Sequence, residues 1–276
     1  MNLTMYSGFS KAAFENGWEY AADMAVSYGC SSVETIDFMN MPSLKPLDSL
    51  EDALSARKTL ENRGLNVACC SAFTNLYKSP EAVIFLKRRA EIAAALGSPF
   101  LHHTVLNWFD LSAELPDFDE AMECAIDAAV EVAKYAEVLG ITCIYEDQGF
   151  FANGIDNYRI FINEMKRRCN NVGVCGDMGN CLFADVTGED FFKAFASDIK
   201  HVHVKDYFLK KSAESPGKGW YKTIGGNWLK DAPLGEGVVD IASCLKTLKE
   251  VGYSGAVAIE TNEIENAVKY LKSLTI

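Results

Sequence analysis

The sequence predicts a closed (β/α)₈ barrel, and three observations carry that prediction. Short runs of β-branched and apolar residues recur eight times along the 276 residues. Most are separated by roughly 20 to 40 residues of helical period, the length a crossover between parallel strands needs. A glycine then stands a few residues ahead of the next strand, as at Gly29, Gly64, Gly97, Gly140 and Gly252, where a helix must end. Eight such units in one chain of this size are the pattern of a barrel.

The predicted strands are Leu3 to Tyr6, Ser32 to Asp37, Asn66 to Ala72, Phe100 to Val105, Ile141 to Glu146, Val172 to Asp177, Ile199 to Lys205 and Ala256 to Glu260. Of the intervening helices, the one from Glu120 to Gly140 has the clearest pattern. Met122, Ile126, Ala129, Ala133 and Ala136 recur at gaps of three and four, with Glu123, Asp127, Glu131, Lys134 and Glu137 on the other side. A doubly wound open sheet is disfavoured because no Gly-x-Gly-x-x-Gly follows a strand. The rhythm breaks once, between Asp206 and Gly235, where glycines and prolines surround Trp220, Tyr221 and Trp228. This stretch reads as a lid-like loop over about residues 207–235, after strand seven, within a single domain spanning residues 1–276.

Composition bounds the function. Hydrophobic residues at 49% and charged residues at 23% describe a globular chain with a large core. A formal net charge of −12 argues against nucleic acid or an anionic membrane as partner, since the long-range field repels both. Nine cysteines show no disulfide or metal spacing, which points to a reducing compartment. With no leader-like N-terminus and no long apolar run, the expected location is the cytoplasm.

The chemistry is read from the strand ends, where a barrel of this kind builds its site. In the stretch Ile199 to Tyr207, alternate side chains place His201, His203 and Lys205 on one face. The last inward-capable polar residues of the later strands are Glu146, Asp177, His203 and Glu260. A salt bridge or a helix cap would account for each carboxylate alone. Together, three carboxylates and one imidazole suit a single divalent ion, Mn²⁺, Co²⁺ or Mg²⁺ before Zn²⁺.

The blocks Ile144-Tyr145-Glu146-Asp147, Cys175-Gly176-Asp177-Met178-Gly179-Asn180, His201-Val202-His203-Val204-Lys205-Asp206, Pro233-Leu234-Gly235-Glu236-Gly237 and Ala258-Ile259-Glu260 occur in this order. They resemble the xylose-isomerase-like barrel superfamily. The branch they are similar to is that of sugar isomerases and epimerases, which includes ketose 3-epimerases, hydroxypyruvate isomerase and inosose dehydratase. The late blocks are the specific ones; the early strands match in rhythm. The resemblance implies that Glu146, Asp177, His203 and Glu260 bind the metal and that Glu146 and Glu260 exchange protons with a small carbohydrate substrate. It also implies self-association. Proton removal and return across an enediolate gives epimerisation or isomerisation, while loss of a β-hydroxyl gives the dehydratase alternative. A barrel that binds carbohydrate without catalysis is the reading from another class.

Departures are also visible. Asn180 stands where many relatives have a histidine that contacts substrate. Leu229 and Asp231 stand where the related three-zinc DNA-repair nucleases would carry extra ligands, which argues against nuclease activity. Further substrate contacts are assigned to His103, Asn180, Lys205, Glu34 and Trp108. Of the adjacent His102 and His103, one alone can face the interior. For Glu34 a structural ion pair is the competing role, and for Lys205 a pair with Asp206 or Glu236. Lys210, Lys211, Lys218, Lys222 and Lys230 in the lid stretch suit either an anionic substrate or, more simply, a solvated loop.

Overall fold

A computed structural model describes residues 1–39, 47, 49–108 and 114–274. Eight parallel strands close into a barrel: β1 (Asn2–Met5), β2 (Ser32–Phe38), β3 (Asn66–Phe73), β4 (Phe100–His103), β5 (Thr142–Tyr145), β6 (Val172–Asp177), β7 (Ile199–Val204) and, after three strands outside the barrel, β11 (Ala256–Ile259). Neighbours follow chain order around the ring, and β1 closes it by pairing with β11. Nine α-helices occur among the described residues: α1 (Ser7–Asn16), α2 (Trp18–Ser27), α3 (Leu50–Glu61), α4 (Pro80–Leu96), α5 (Phe118–Val138), α6 (Ile155–Arg168), α7 (Gly188–Phe195), α8 (Ile241–Glu250) and α9 (Ile264–Ser273).

Helix starts and stops follow local chemistry. Ser49, Ser79, Asp117, Thr187 and Asp240 each accept the backbone N–H of the third residue into the following helix. Loss of one such cap typically costs about 1 kcal/mol. Gly97 and Gly140 leave their helices at φ of 76° and 73°, a region where a side chain would clash with its own backbone. The predicted stripe of α5 is its buried face, with Met122, Ile126, Ala129, Ala133 and Ala136 all inside. Small residues there let the helix lie close on the strands.

The stretch expected as a lid loop is not structureless. Within it β8 (Asp206–Lys210), β9 (Tyr221–Lys222) and β10 (Trp228–Ala232) form a small antiparallel sheet in the order β8-β10-β9. Leu209 pairs with Leu229 and Tyr207 with Asp231 in register, so the hairpin satisfies its own backbone groups. Trp228 donates its indole N–H to the Ser212 carbonyl at 3.0 Å, which ties this tryptophan into the same substructure. The cysteines are free thiols, and all but Cys124 are buried. Among the described residues, no helix is long and apolar enough to cross a membrane.

Candidate metal centre

Glu146 follows β5 directly, Asp177 ends β6, His203 lies next to last in β7 and Glu260 follows β11. Register places Asp177 beside His203 and His203 beside Ala258, so the parallel ladder delivers all four side chains to one end of the barrel. Their donor atoms lie within 4.8 Å of one another. His203 Nδ1 is 3.2 Å from Glu146 Oε2 and 3.6 Å from Glu260 Oε2. Asp177 Oδ1 accepts the backbone N–H groups of Gly179 and Asn180, at 2.8 and 2.7 Å, which turns Oδ2 toward the cluster. Lys205 Nζ completes the charge pattern, 2.8 Å from Glu260 Oε1, 3.3 Å from Asp177 Oδ2 and 3.1 Å from Asn180 Oδ1.

These surroundings drive the two glutamates apart. Burial favours the neutral form of Glu146, but the imidazoles of His102 and His203 outweigh it and hold the carboxyl down at about 2. Burial, aided by the Asp177 and Glu146 carboxylates against the pull of Lys205, raises Glu260 to about 8. Glu260 is also the one of the four with appreciable exposure, its side chain being 21% accessible.

Beneath the cluster the barrel interior is polar. Glu34 of β2 is fully buried, accepting from Ser71 Oγ at 2.6 Å and facing His201 Nε2 at 2.7 Å and His203 Nε2 at 2.9 Å. Burial would raise this carboxyl, yet His203 and His201 hold it below the ordinary carboxylate range. The Tyr6 ring stacks on the His203 imidazole with centroids 4.8 Å apart. His203 is therefore held from its far nitrogen and across its face.

The residues fit a divalent cation. Asp177 Oδ2 and Glu260 Oε2 are buried without a hydrogen-bond partner, although Lys205 and His203 lie at ion-pair distance. The imidazole that would complete the set has its other nitrogen on a carboxylate, the arrangement usual for histidine ligands. Three oxygens and one nitrogen suit Mn²⁺, Mg²⁺, Co²⁺ or Zn²⁺.

Three expectations are corrected by the packing. His103 faces away from the interior: its Nδ1 lies 3.1 Å from the Thr104 carbonyl, and its ring meets Tyr145 edge-on, which in turn packs on Phe161 of α6. Strand alternation sends His102 inward instead, 3.6 Å from Glu146. Glu34 has no exposure and is saturated by three protein partners, so it orients imidazoles rather than meeting a substrate hydroxyl. Lys205 pairs with Asp177 and Glu260, not with Asp206 or Glu236. The Asp206 carboxylate is occupied by the backbone N–H groups of Tyr207, Gly235, Gly237 and Val239. Trp108 stands past β4 in an aromatic group with Tyr77 and Phe151. Asn180 is buried, and its amide nitrogen has no protein partner.

A closed parallel barrel whose C-terminal rim gathers three carboxylates and an imidazole belongs to the class of barrels with a cation-competent mouth. The chain is a member of the xylose isomerase-like TIM barrel family, which it matches over residues 22–274. In fold it is similar to D-psicose 3-epimerase with D-tagatose from Clostridium cellulolyticum H10, with a TM-score of 0.71 and 16% identity, covering 100% of this chain and 91% of that one. It is likewise similar to the IolI protein with a bound zinc atom, at 0.73 and 16%, covering 100% and 96%. A third such structure is 3-keto-D-glucoside 4-epimerase, YcjR, from E. coli, at 0.73 and 14%, covering 99% of each chain. Identities this low establish a shared fold. No curated protein matches the chain.

Proposed function

We propose that this protein is a divalent-metal-dependent isomerase or epimerase of a small sugar or polyol-derived ketone, acting through an enediolate. The observation that carries this reading is the placement of Glu146 and Glu260 around one His203 nitrogen, at 3.2 and 3.6 Å, within a four-donor set able to hold one cation. Glu146, Asp177, His203 and Glu260 would hold the ion, and when bound it supplies positive charge beside the substrate carbonyl and so eases proton loss from the adjacent carbon.

The protein's own groups do the rest. Glu146 and Glu260 form the acid/base pair: Glu146 takes a proton from carbon, and Glu260 supplies one. Return to the opposite face of the planar intermediate inverts the centre; return to the neighbouring carbon isomerises. The unpartnered Asn180 amide and the Lys205 ammonium are assigned to substrate oxygens, and Trp108 to the apolar wall. A cavity of about 280 Å³ beside Glu260, lined in part by Ser7, Lys205, Thr261 and Asn262, has room for a few hydroxyl-bearing carbons.

Incubating the Mn²⁺-supplemented protein with ketoses and inososes in ²H₂O tests the reading. The expected result is one deuterium in recovered substrate or epimer with no loss of water. Dehydrated product would instead make the protein a lyase, and no exchange with any of them, together with no metal-induced rise in melting temperature, would leave a carbohydrate-binding barrel.

A further inference from the structure

Four hydrogen-bond contacts and one longer polar contact under the metal centre close into a ring. Glu146 Oε2 faces His203 Nδ1 at 3.2 Å, and His203 Nε2 faces Glu34 Oε1 at 2.9 Å. Ser71 Oγ donates to that same Glu34 oxygen at 2.6 Å and lies 2.8 Å from His102 Nδ1. His102 Nε2 then stands 3.6 Å from Glu146 Oε1, which returns the ring to its start. All five residues are buried.

The direction of each bond can be assigned. A carboxylate only accepts, so the single hydroxyl proton of Ser71 is given to Glu34. Ser71 oxygen must therefore accept from His102, which places a proton on Nδ1. A cationic ring would leave a second buried N–H without a hydrogen bond, so the imidazole is neutral and Nε2 carries the lone pair. That nitrogen is buried with no hydrogen-bond partner. It is aimed at Glu146 Oε1, 3.6 Å away.

We propose that His102 is a positioning residue of the reaction centre: its Nε2 lone pair accepts a hydrogen bond from Glu146 Oε1 once that carboxylate has taken the substrate's proton. This rests on the acid/base role assigned to Glu146 above. In the step, the substrate C–H bond breaks, its electron pair stays on the substrate and an O–H bond forms at Oε1. No proton passes to His102. The contact shortens to a hydrogen bond of roughly 2.7–3.0 Å. An acceptor that is unpaired in the resting site and paired in the intermediate favours the intermediate selectively, and selective stabilisation is what raises a rate. The bond also holds Glu146 in one orientation while it carries the proton. Ser71 sets the tautomer on which this depends.

With only four histidines in the chain, ¹⁵N-histidine labelling with Mg²⁺ present reads the tautomer directly. His102, assigned by the loss of its signals in His102→Asn, is expected to show a protonated Nδ1 and a bare Nε2, and Ser71→Ala is expected to release that preference. A protonated Nε2 in the unmodified protein overturns the proposal. Kinetics gives the second arm. Glutamine places its amide where Nε2 stands, and asparagine places it where Nδ1 stands. His102→Gln should therefore keep kcat within several-fold, while His102→Asn should lose about 10- to 100-fold in kcat with little change in KM. Equal losses that follow the melting temperatures would reduce His102 to packing. Absence of solvent exchange in the unmodified protein would sink the proposed reaction itself, before any variant is compared.

Discussion

Glu34 holds His203 by its far nitrogen, Oε1 to Nε2 at 2.9 Å, and so points Nδ1 at the carboxylates of the mouth. Its other oxygen holds His201 at 2.7 Å. Glu34→Gln replaces one acceptor with an NH₂ group that must face an imidazole or the Ser71 hydroxyl. Divalent-ion affinity should fall about 10- to 100-fold, and stability by about 3 kcal/mol. Titration calorimetry with Mn²⁺ and urea denaturation measure both; unchanged affinity would show that His203 needs no such support.

Lys205 pairs with two of the carboxylates that a divalent ion would need. Its ammonium lies 2.8 Å from Glu260 Oε1 and 3.3 Å from Asp177 Oδ2. The metal-free Lys205→Met protein should be less stable than the parent by about 3 kcal/mol, because buried carboxylates lose their counter-charge. Saturating Mn²⁺ should then raise its melting temperature by more than it raises that of the parent. Equal increments would mean that the lysine and the ion do not share the site.

Glu260 sets a pH dependence whose sign is fixed. Its carboxyl is raised from 4.5 to about 8 in the fold, so the native state binds this proton more tightly than the unfolded chain does. The stability this contributes is complete below about 4.5 and is lost as pH rises through about 8. Glu146, at about 2, acts below that window; His102 and His103, lowered by burial from 6.5 to about 4, act against it up to about pH 6.5, and His203, raised against its burial by Cys175 and Glu34, acts with it above. The metal-free protein should therefore lose thermal stability from about pH 6.5 to about pH 8, while its apparent Mn²⁺ affinity rises with a proton released on binding. An affinity independent of pH over that range would remove Glu260 from the ligand set.

Asp206 anchors the return from the small sheet to the barrel. It accepts four backbone N–H groups, from Tyr207, Gly235, Gly237 and Val239, at 2.8 to 3.0 Å. Asp206→Asn turns an amide NH₂ toward donors and should remove about 3 kcal/mol, since hydrogen bonds to charged groups are the stronger kind. Limited proteolysis should then cut within residues 233–239; an intact segment at unchanged urea midpoint would contradict the assignment.

Local signals made much of this legible from sequence. Strand runs and terminating glycines depend on neighbouring residues, and the period of two puts Glu146, Asp177, His203 and Glu260 at strand ends whatever the rest of the chain does. Two adjacent histidines, by contrast, do not announce the phase of a strand. Ser71, which pairs in register with His102, was the signal that could have chosen between them, because a polar partner on the next strand marks the inward face. Glu34 was misread because its saturation depends on β3 and β7, remote in sequence. The sheet of β8, β9 and β10 was hidden by the glycines and prolines between its strands, which outweighed the short alternating runs.

The polar floor divides the molecule into a part that resists change and a part that accepts it. Glu34, Ser71, His102, His201 and His203 come from four strands and are tied to one another by hydrogen bonds, so altering one leaves a buried partner unmet. An apolar layer in their place should yield a sturdier barrel and an inert one. New specificity in descendants of this chain should therefore arise from the rim, at Asn180, the cavity beside Glu260 and the three-stranded sheet, while the floor is inherited whole or lost whole.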